Sequence, residues 1–109
     1  MVIKKISQVS EAIKIIHEVD NIELGRVFLY FIKNDLHVPP YGLVEDLFVV
    51  ESARGQGIAT ELLKQVIIEA KARGCYKLLA TSRTERSELH SWYERLGFKL
   101  HGVEFRLDL

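Results

Sequence analysis

Arg54-Gly55-Gln56-Gly57-Ile58-Ala59 places a cation and two glycines between an apolar stretch, Leu43–Val50, and an amphipathic one, Thr60–Ala72. An apolar strand thus runs into a basic glycine turn, and the turn opens a helix. The first turn of a helix carries unpaired N–H donors and a partial positive charge. Glycines let an anion approach the main chain closely, and Arg54 adds a fixed charge. The chemistry that suits this order is anion binding, with a diphosphate as the natural guest. The segment is not a P-loop, because no lysine follows the second glycine. It is not a dinucleotide fingerprint either, because the third glycine is missing. The same residues also suit a plain strand-to-helix turn in which the glycines serve geometry alone.

Other reactive side chains are sparse. His17, His37, His90 and His101 show no metal-ligand spacing, so no metal is expected. His90 could lie near a cleft or be a solvated surface residue. The lone cysteine, Cys75, cannot close an internal disulfide and reads as a small apolar side chain beside Gly74.

The elements that must position the glycine turn follow from periodicity. Val2–Ile6 reads as a short strand. Ile13–Val19 and Arg26–Ile32 read as a hairpin about Asp20-Asn21. Pro39-Pro40 puts Asn34–Pro40 in a loop. Leu43–Val50 is the next strand. Leu43, Glu45, Leu47 and Val49 share one face; Val44, Asp46, Phe48 and Val50 share the other. Ile58, Leu62, Leu63, Val66, Ile67 and Ala70 recur at helical spacing, and Gly74 closes that helix. Tyr76–Thr81 reads as a second buried strand, joined by a right-handed parallel crossover. Ser82 and Glu85 have capping-box spacing before a helix marked by Leu89, Trp92, Tyr93 and Leu96 and closed by Gly97. Phe98–Leu100 and Val103–Leu109 read as a closing pair of strands. The fold class is α+β: a mixed sheet with two helices.

The 109 residues are one domain, 1–109. Such a chain buries roughly two-thirds of its unfolded surface, enough for a core without staples. Fifteen basic residues balance fifteen acidic ones. Without a basic excess, nucleic acid is not an expected partner. No apolar run approaches the ~18 residues of a membrane span, and no signal peptide is apparent. With a single cysteine, the expected location is the cytoplasm.

Arg54, Gly57 and Ala59 match the Gln/Arg-x-x-Gly-x-Gly/Ala signature of the GNAT superfamily of N-acetyltransferases. Trp92-Tyr93-Glu94-Arg95-Leu96-Gly97-Phe98 resembles the same family's Phe-Tyr-Glu-Lys-Leu-Gly-Phe segment. The two motifs stand in the family's order, and the resemblance covers about the last two-thirds of the chain. It implies a mostly antiparallel sheet whose two parallel central strands splay apart. It implies acetyl-CoA as co-substrate, with its pyrophosphate on the N–H groups of Arg54, Gly55, Gln56, Gly57, Ile58, Ala59 and Thr60. Its pantetheine arm would pair with the main chain of Leu47, Phe48 and Val49 like an added strand.

Family likeness also supplies roles. Tyr93 matches the tyrosine that protonates the leaving thiolate; a tyrosine is protonated at neutral pH, its reference pKa being about 10. A core aromatic beside Trp92 is the other reading of Tyr93. Glu45 resembles the acidic residue that faces the amine in polyamine-acetylating members. It would act as general base, directly or through water, with burial raising its pKa. A strand-end carboxylate paired with a cation is the alternative for Glu45. Many relatives carry Asn seven residues before the tyrosine; Arg86 stands there, so Arg86 or Ser87 would take over its cofactor contact. The usual two N-terminal helices have no room between the first strands. The acceptor site is therefore expected to be open or completed by a second copy in a homodimer. The acceptor is a small-molecule or protein amine. A non-catalytic acyl-CoA sensor and a module with an empty cleft are the competing functions.

Overall fold

The computed structural model describes residues 1–109. Three long strands come first: β1 (Glu11–Val19), β2 (Ile22–Ile32) and β3 (Tyr41–Val49). A 3-10 turn over Glu51–Ala53 leads to helix α1 (Ile58–Ala72). A short β4 (Leu78–Leu79) and helix α2 (Ser87–Arg95) follow. The strands lie side by side in the order β1-β2-β3-β4. The first two pairs are antiparallel and β3 with β4 is parallel, so the sheet is mixed as expected.

Local chemistry accounts for the hairpin. Val19 pairs with Ile22, leaving Asp20 and Asn21 as a two-residue connection. Both have positive φ, 52° and 64°. Two such residues give the turn whose twist matches the flanking strands, and Asp and Asn tolerate that conformation best among side-chain-bearing residues.

Alternation on β2 turns Val27, Leu29 and Phe31 to one face, where they are buried. Helix α1 lies over that face with Ile58, Leu62, Leu63, Val66 and Ala70 inward. Together with Val44, Val49 and Ala53 these residues form a single core. The helix ends as expected: Arg73 is the C-cap, and Gly74 follows at φ 75°. The opposite face of the sheet carries Lys14, Ile16, Arg26, Phe28, Tyr30 and Ile32 and has no helix over it. Ile16 remains 42% exposed and Tyr30 38%.

Several expectations fail. Val2–Ile6 forms no strand, and neither Phe98–Leu100 nor Val103–Leu109 pairs with anything. Phe105 and Leu107 are 91% and 83% exposed. Alternation specifies a face but supplies no hydrogen-bonding neighbour, and a strand exists only in a ladder. These two extended arms raise the radius of gyration to 16.0 Å, above the ~13 Å of a compact chain of this length. The strand read over Tyr76–Thr81 contracts to Leu78–Leu79 at the sheet edge, half-buried. The capping box is also absent. Ser82 donates to the Arg83 carbonyl (3.3 Å) and Glu85 accepts from Thr84 (3.4 Å), while α2 starts only after Arg86. His90 replaces the box: its Nε2 lies 2.8 Å from the Arg83 carbonyl and ties the loop to the helix.

Leu63 is fully buried at the centre of this layer. Leu63→Ala is expected to lower the unfolding free energy by about 2–5 kcal/mol in urea titration. Ile68→Ala, on the 57% exposed side of the same helix, is expected to change it by less than about 0.5 kcal/mol.

Candidate acetyl-CoA site

The glycine turn bridges the 3-10 segment and α1. Gly55 and Gly57 have φ of 82° and 83°, values that strain any residue with a Cβ. Gly57 is the N-cap of α1, and no side chain caps it. No N–H from Gly55 through Gln56, Gly57, Ile58 and Ala59 to Thr60 has an acceptor in the chain. A continuous run of unpaired donors therefore stands at the positive end of a 15-residue helix. Open space surrounds both glycines at the position of a Cβ. These are the features that a phosphate cradle requires.

Arg54 differs from its expected role in one respect. Its N–H is taken by the Glu51 carbonyl at 3.3 Å. Its Nε donates to the Val49 carbonyl at 2.8 Å, and its guanidinium lies 5.4 Å from the Phe48 ring centre. Arg54 contributes charge beside the cradle rather than a main-chain donor.

Next to the cradle, β3 has an open edge. It pairs with β4 only at Gly42 and Leu43, after which the two strands part company. Leu47, Phe48 and Val49 lie beyond this short ladder, with β2 on their other side. The parallel strands thus pair for two residues only, as the expected splay requires, and along the unpaired part of β3 the Val49 carbonyl is taken by Arg54.

A bulge changes the faces of β3. Phe28 pairs with Glu45 and Arg26 with Phe48, so Val27 alone spans Asp46 and Leu47. Asp46 has φ 51°, a left-handed residue inside a strand. Alternation is reset there. Val44 is buried under α1 before the bulge; Leu47 and Val49 pack into the same core after it. Leu47 and Val49 therefore do not share a face with Glu45, contrary to the regular-strand reading. Glu45 and Asp46 instead line one groove, with Ser10, Phe28, Tyr30, Ile32 and Leu43, on the sheet face that α1 leaves uncovered.

The two carboxylates differ. Asp46 accepts a forked pair of bonds from Arg26, Nε–Oδ2 at 2.9 Å and Nη2–Oδ1 at 3.2 Å. That pairing holds the Asp46 carboxyl below the ordinary carboxylate range and raises the guanidinium of Arg26. Glu45 is exposed and has no cationic partner, so the burial expected of it is absent.

Tyr93 stands elsewhere. It is half-buried on α2, its ring 5.0 Å from Trp92 and 5.4 Å from Phe98 between centres. Trp92 donates from Nε1 to the Thr60 hydroxyl at 3.0 Å, which fastens α2 to the first turn of α1 and hence to the cradle. Burial pushes the Tyr93 phenol above its ordinary pKa, because the phenolate would lose hydration. The groove holding Glu45 does not include Tyr93. Arg86 caps α2 and reaches Glu88 at 3.5 Å, with Ser87 exposed beside it. Arg86 shares a shallow cleft with Thr81, Ser82, Arg83, Leu89 and Glu104. No three histidines, cysteines or carboxylates gather as a metal site. No helix is long and apolar enough to cross a membrane.

Sequence reading missed Arg26, Asp46 and the Trp92–Thr60 bond.

The profile of the Acetyltransferase (GNAT) family matches residues 15–98. The chain belongs to the GNAT acetyltransferase family. This GNAT chain is 38% identical over 68 residues to a glucosamine 6-phosphate N-acetyltransferase of Trypanosoma brucei brucei, a match covering 62% of the chain and 44% of the relative. It thus spans under half of that relative's length. A Trypanosoma brucei acetyltransferase structure superposes with a TM-score of 0.81 at 27% identity, covering 90% of this chain and 69% of the other. An aminoglycoside N-acetyltransferase in complex with CoA superposes at 0.69 and 21% identity, covering 88% and 75%. At that identity the likeness is one of fold.

Because the native state holds the Tyr93 proton more tightly than the unfolded chain does, this group's stabilisation is complete below the reference pKa of about 10 and is lost as pH rises through the higher native value. In an absorbance titration of tyrosinate, Tyr93→Phe is expected to remove a component that titrates above about 10.

Proposed function

We propose that this GNAT chain carries an acetyl group from acetyl-CoA to a primary amine, by direct attack within a ternary complex. The observation that carries the reading is the run of acceptorless N–H groups from Gly55 to Thr60 beside the open edge of β3. These groups suit a pyrophosphate, and the Leu47–Val49 main chain suits the amide-bearing pantetheine arm. When bound, acetyl-CoA supplies the acetyl group as a thioester. Tyr93 donates a proton to the departing sulfur; its raised pKa keeps the phenol protonated throughout the neutral range. Glu45 takes a proton from the amine, directly or through water. Arg86 and Ser87 lie at the start of α2, where the cofactor contact of the family's asparagine is expected.

Amine acceptors of the kind named by the relatives, an amino sugar phosphate or an aminoglycoside, are the first to test. The uncovered sheet face supports an acceptor site completed by a second copy, and a homodimer is the assembly we infer. Cytoplasmic residence remains part of the proposal. One observation favours a second reading: Glu45 is exposed on the sheet face that α1 leaves uncovered, whereas Tyr93 is half-buried on α2 against Trp92 and Phe98. A non-catalytic acyl-CoA sensor needs the cradle but neither side chain.

Gly57→Val is expected to abolish the rise in melting temperature that acetyl-CoA gives the wild-type protein, with the fold retained by circular dichroism. An undiminished rise would remove the cradle from the reading. Tyr93→Phe is expected to lower kcat by about a hundredfold on an amine panel while acetyl-CoA affinity stays unchanged. Unchanged kcat would strike out Tyr93 as the acid, and acetyl-CoA binding without turnover of any amine by wild-type protein would favour the sensor.

A further inference from the structure

Asp46 stands at φ 51° in the middle of β3, where a regular ladder needs an extended residue. Aspartate tolerates left-handed φ in a turn, as Asp20 does, but inside a strand it breaks the extended geometry on both sides and interrupts the ladder. The residue that grips it comes from the neighbouring strand. Arg26 on β2 binds both Asp46 oxygens, at 2.9 and 3.2 Å. Its guanidinium also lies 4.7 Å from the centre of the Phe48 ring, so one side chain engages both sides of the bulge. The Phe48 ring receives a second guanidinium, that of Arg54, at 5.4 Å, and Arg54 is anchored to the Val49 carbonyl. Gly55 is the next residue. Asp46, Arg26, Phe48 and Arg54 thus form a contiguous chain of contacts from the bulge to the cradle.

Other charged groups near this chain are few. Lys14 acts on Asp46 and Glu23 on Arg26 through space, and these two bind each other at 2.7 Å. The forked pairing is therefore specific to Arg26 and Asp46. A lysine at position 26 could supply charge but not the planar fork.

We propose that Arg26 is a positioning residue: by clamping Asp46 and stacking on Phe48, it fixes the β3 bulge and so sets the Leu47–Val49 main chain and Arg54 where the cofactor would lie. The clamp also pairs the Asp46 charge, leaving Glu45 as the carboxylate of the groove without a cationic partner. The cofactor half of this inference rests on the acetyl-CoA reading above; the clamp on the bulge does not.

Glycine adopts φ near 50° without strain, which gives a suppressor test. Arg26→Met is expected to raise hydrogen exchange at the amides of residues 46–49 and to weaken acetyl-CoA binding by about tenfold in calorimetry. Arg26→Lys is expected to rescue little. The double variant Arg26→Met/Asp46→Gly is expected to recover both exchange protection and affinity, because the bulge no longer needs a clamp. A role in packing alone would not be rescued by Asp46→Gly. Wild-type exchange in Arg26→Met, or no recovery in the double variant, would overturn the inference. Should wild-type protein fail to bind acetyl-CoA, the cofactor reading falls, and the exchange measurements still decide whether Arg26 holds the bulge. If Arg26→Met does not fold, folding of the double variant supports the clamp and its failure to fold counts against it.

Discussion

Helix α1 lies so close to the sheet that a side chain at Gly25 would crowd it. A Cβ there would meet Ile58 Cγ2 at 3.0 Å and Leu62 Cδ1 at 3.1 Å. This contact fixes the first turn of the helix over the end of β2 and beside the end of β3, where Gly25 pairs with Val49. The glycine turn must then close the short gap from Val50 to Ile58. Its tight path, with two left-handed glycines, leaves the donors from Gly55 to Thr60 without acceptors. Hydrophobic burial under α1 and the exposure of the cradle are therefore one arrangement: the helix cannot pack as it does without presenting its N-terminus at the sheet's edge.

The second helix depends on that placement. Helix α2 buries no residue fully and contributes partly buried aromatics to the rim of the core. One directional bond, Trp92 to Thr60, fastens it to the helix turn that also carries the cradle. Tyr93, the next residue, packs between Trp92 and Phe98 on that fastened helix. The acceptorless N–H groups and the acidic groove thus stand on different supports, the first at the start of α1 and the second on the bulged strand β3.

Much of this organisation was legible in the chain. Asp20-Asn21 located the hairpin, because two turn-forming residues between β-rich runs admit few other conformations. The helical spacing from Ile58 to Ala70 located α1, and Gly74 its end. The glycine turn and the segment around Tyr93 together indicated the family. Where the reading failed, it failed for reasons of pairing. Val103, Phe105, Leu107 and Leu109 alternate like a strand, but alternation does not name a neighbour, and none pairs with them. Ser82 and Glu85 have the spacing of a capping box, but the chain turns between them and His90 secures the loop instead.

Sequence alone determined the local chemistry: which residues favour a strand, which glycines can turn left-handed, and that a helix beginning there leaves N–H groups free. These follow from the conformational preferences of each residue and its near neighbours. Tertiary structure decided how the strands meet. The bulge at Asp46 reverses the facing of everything after it on β3, brings Glu45 and Asp46 to one groove, and gives Asp46 to Arg26. No local preference encodes that, because a bulge is a mismatch in register between two strands, and register exists only once β2 and β3 have paired.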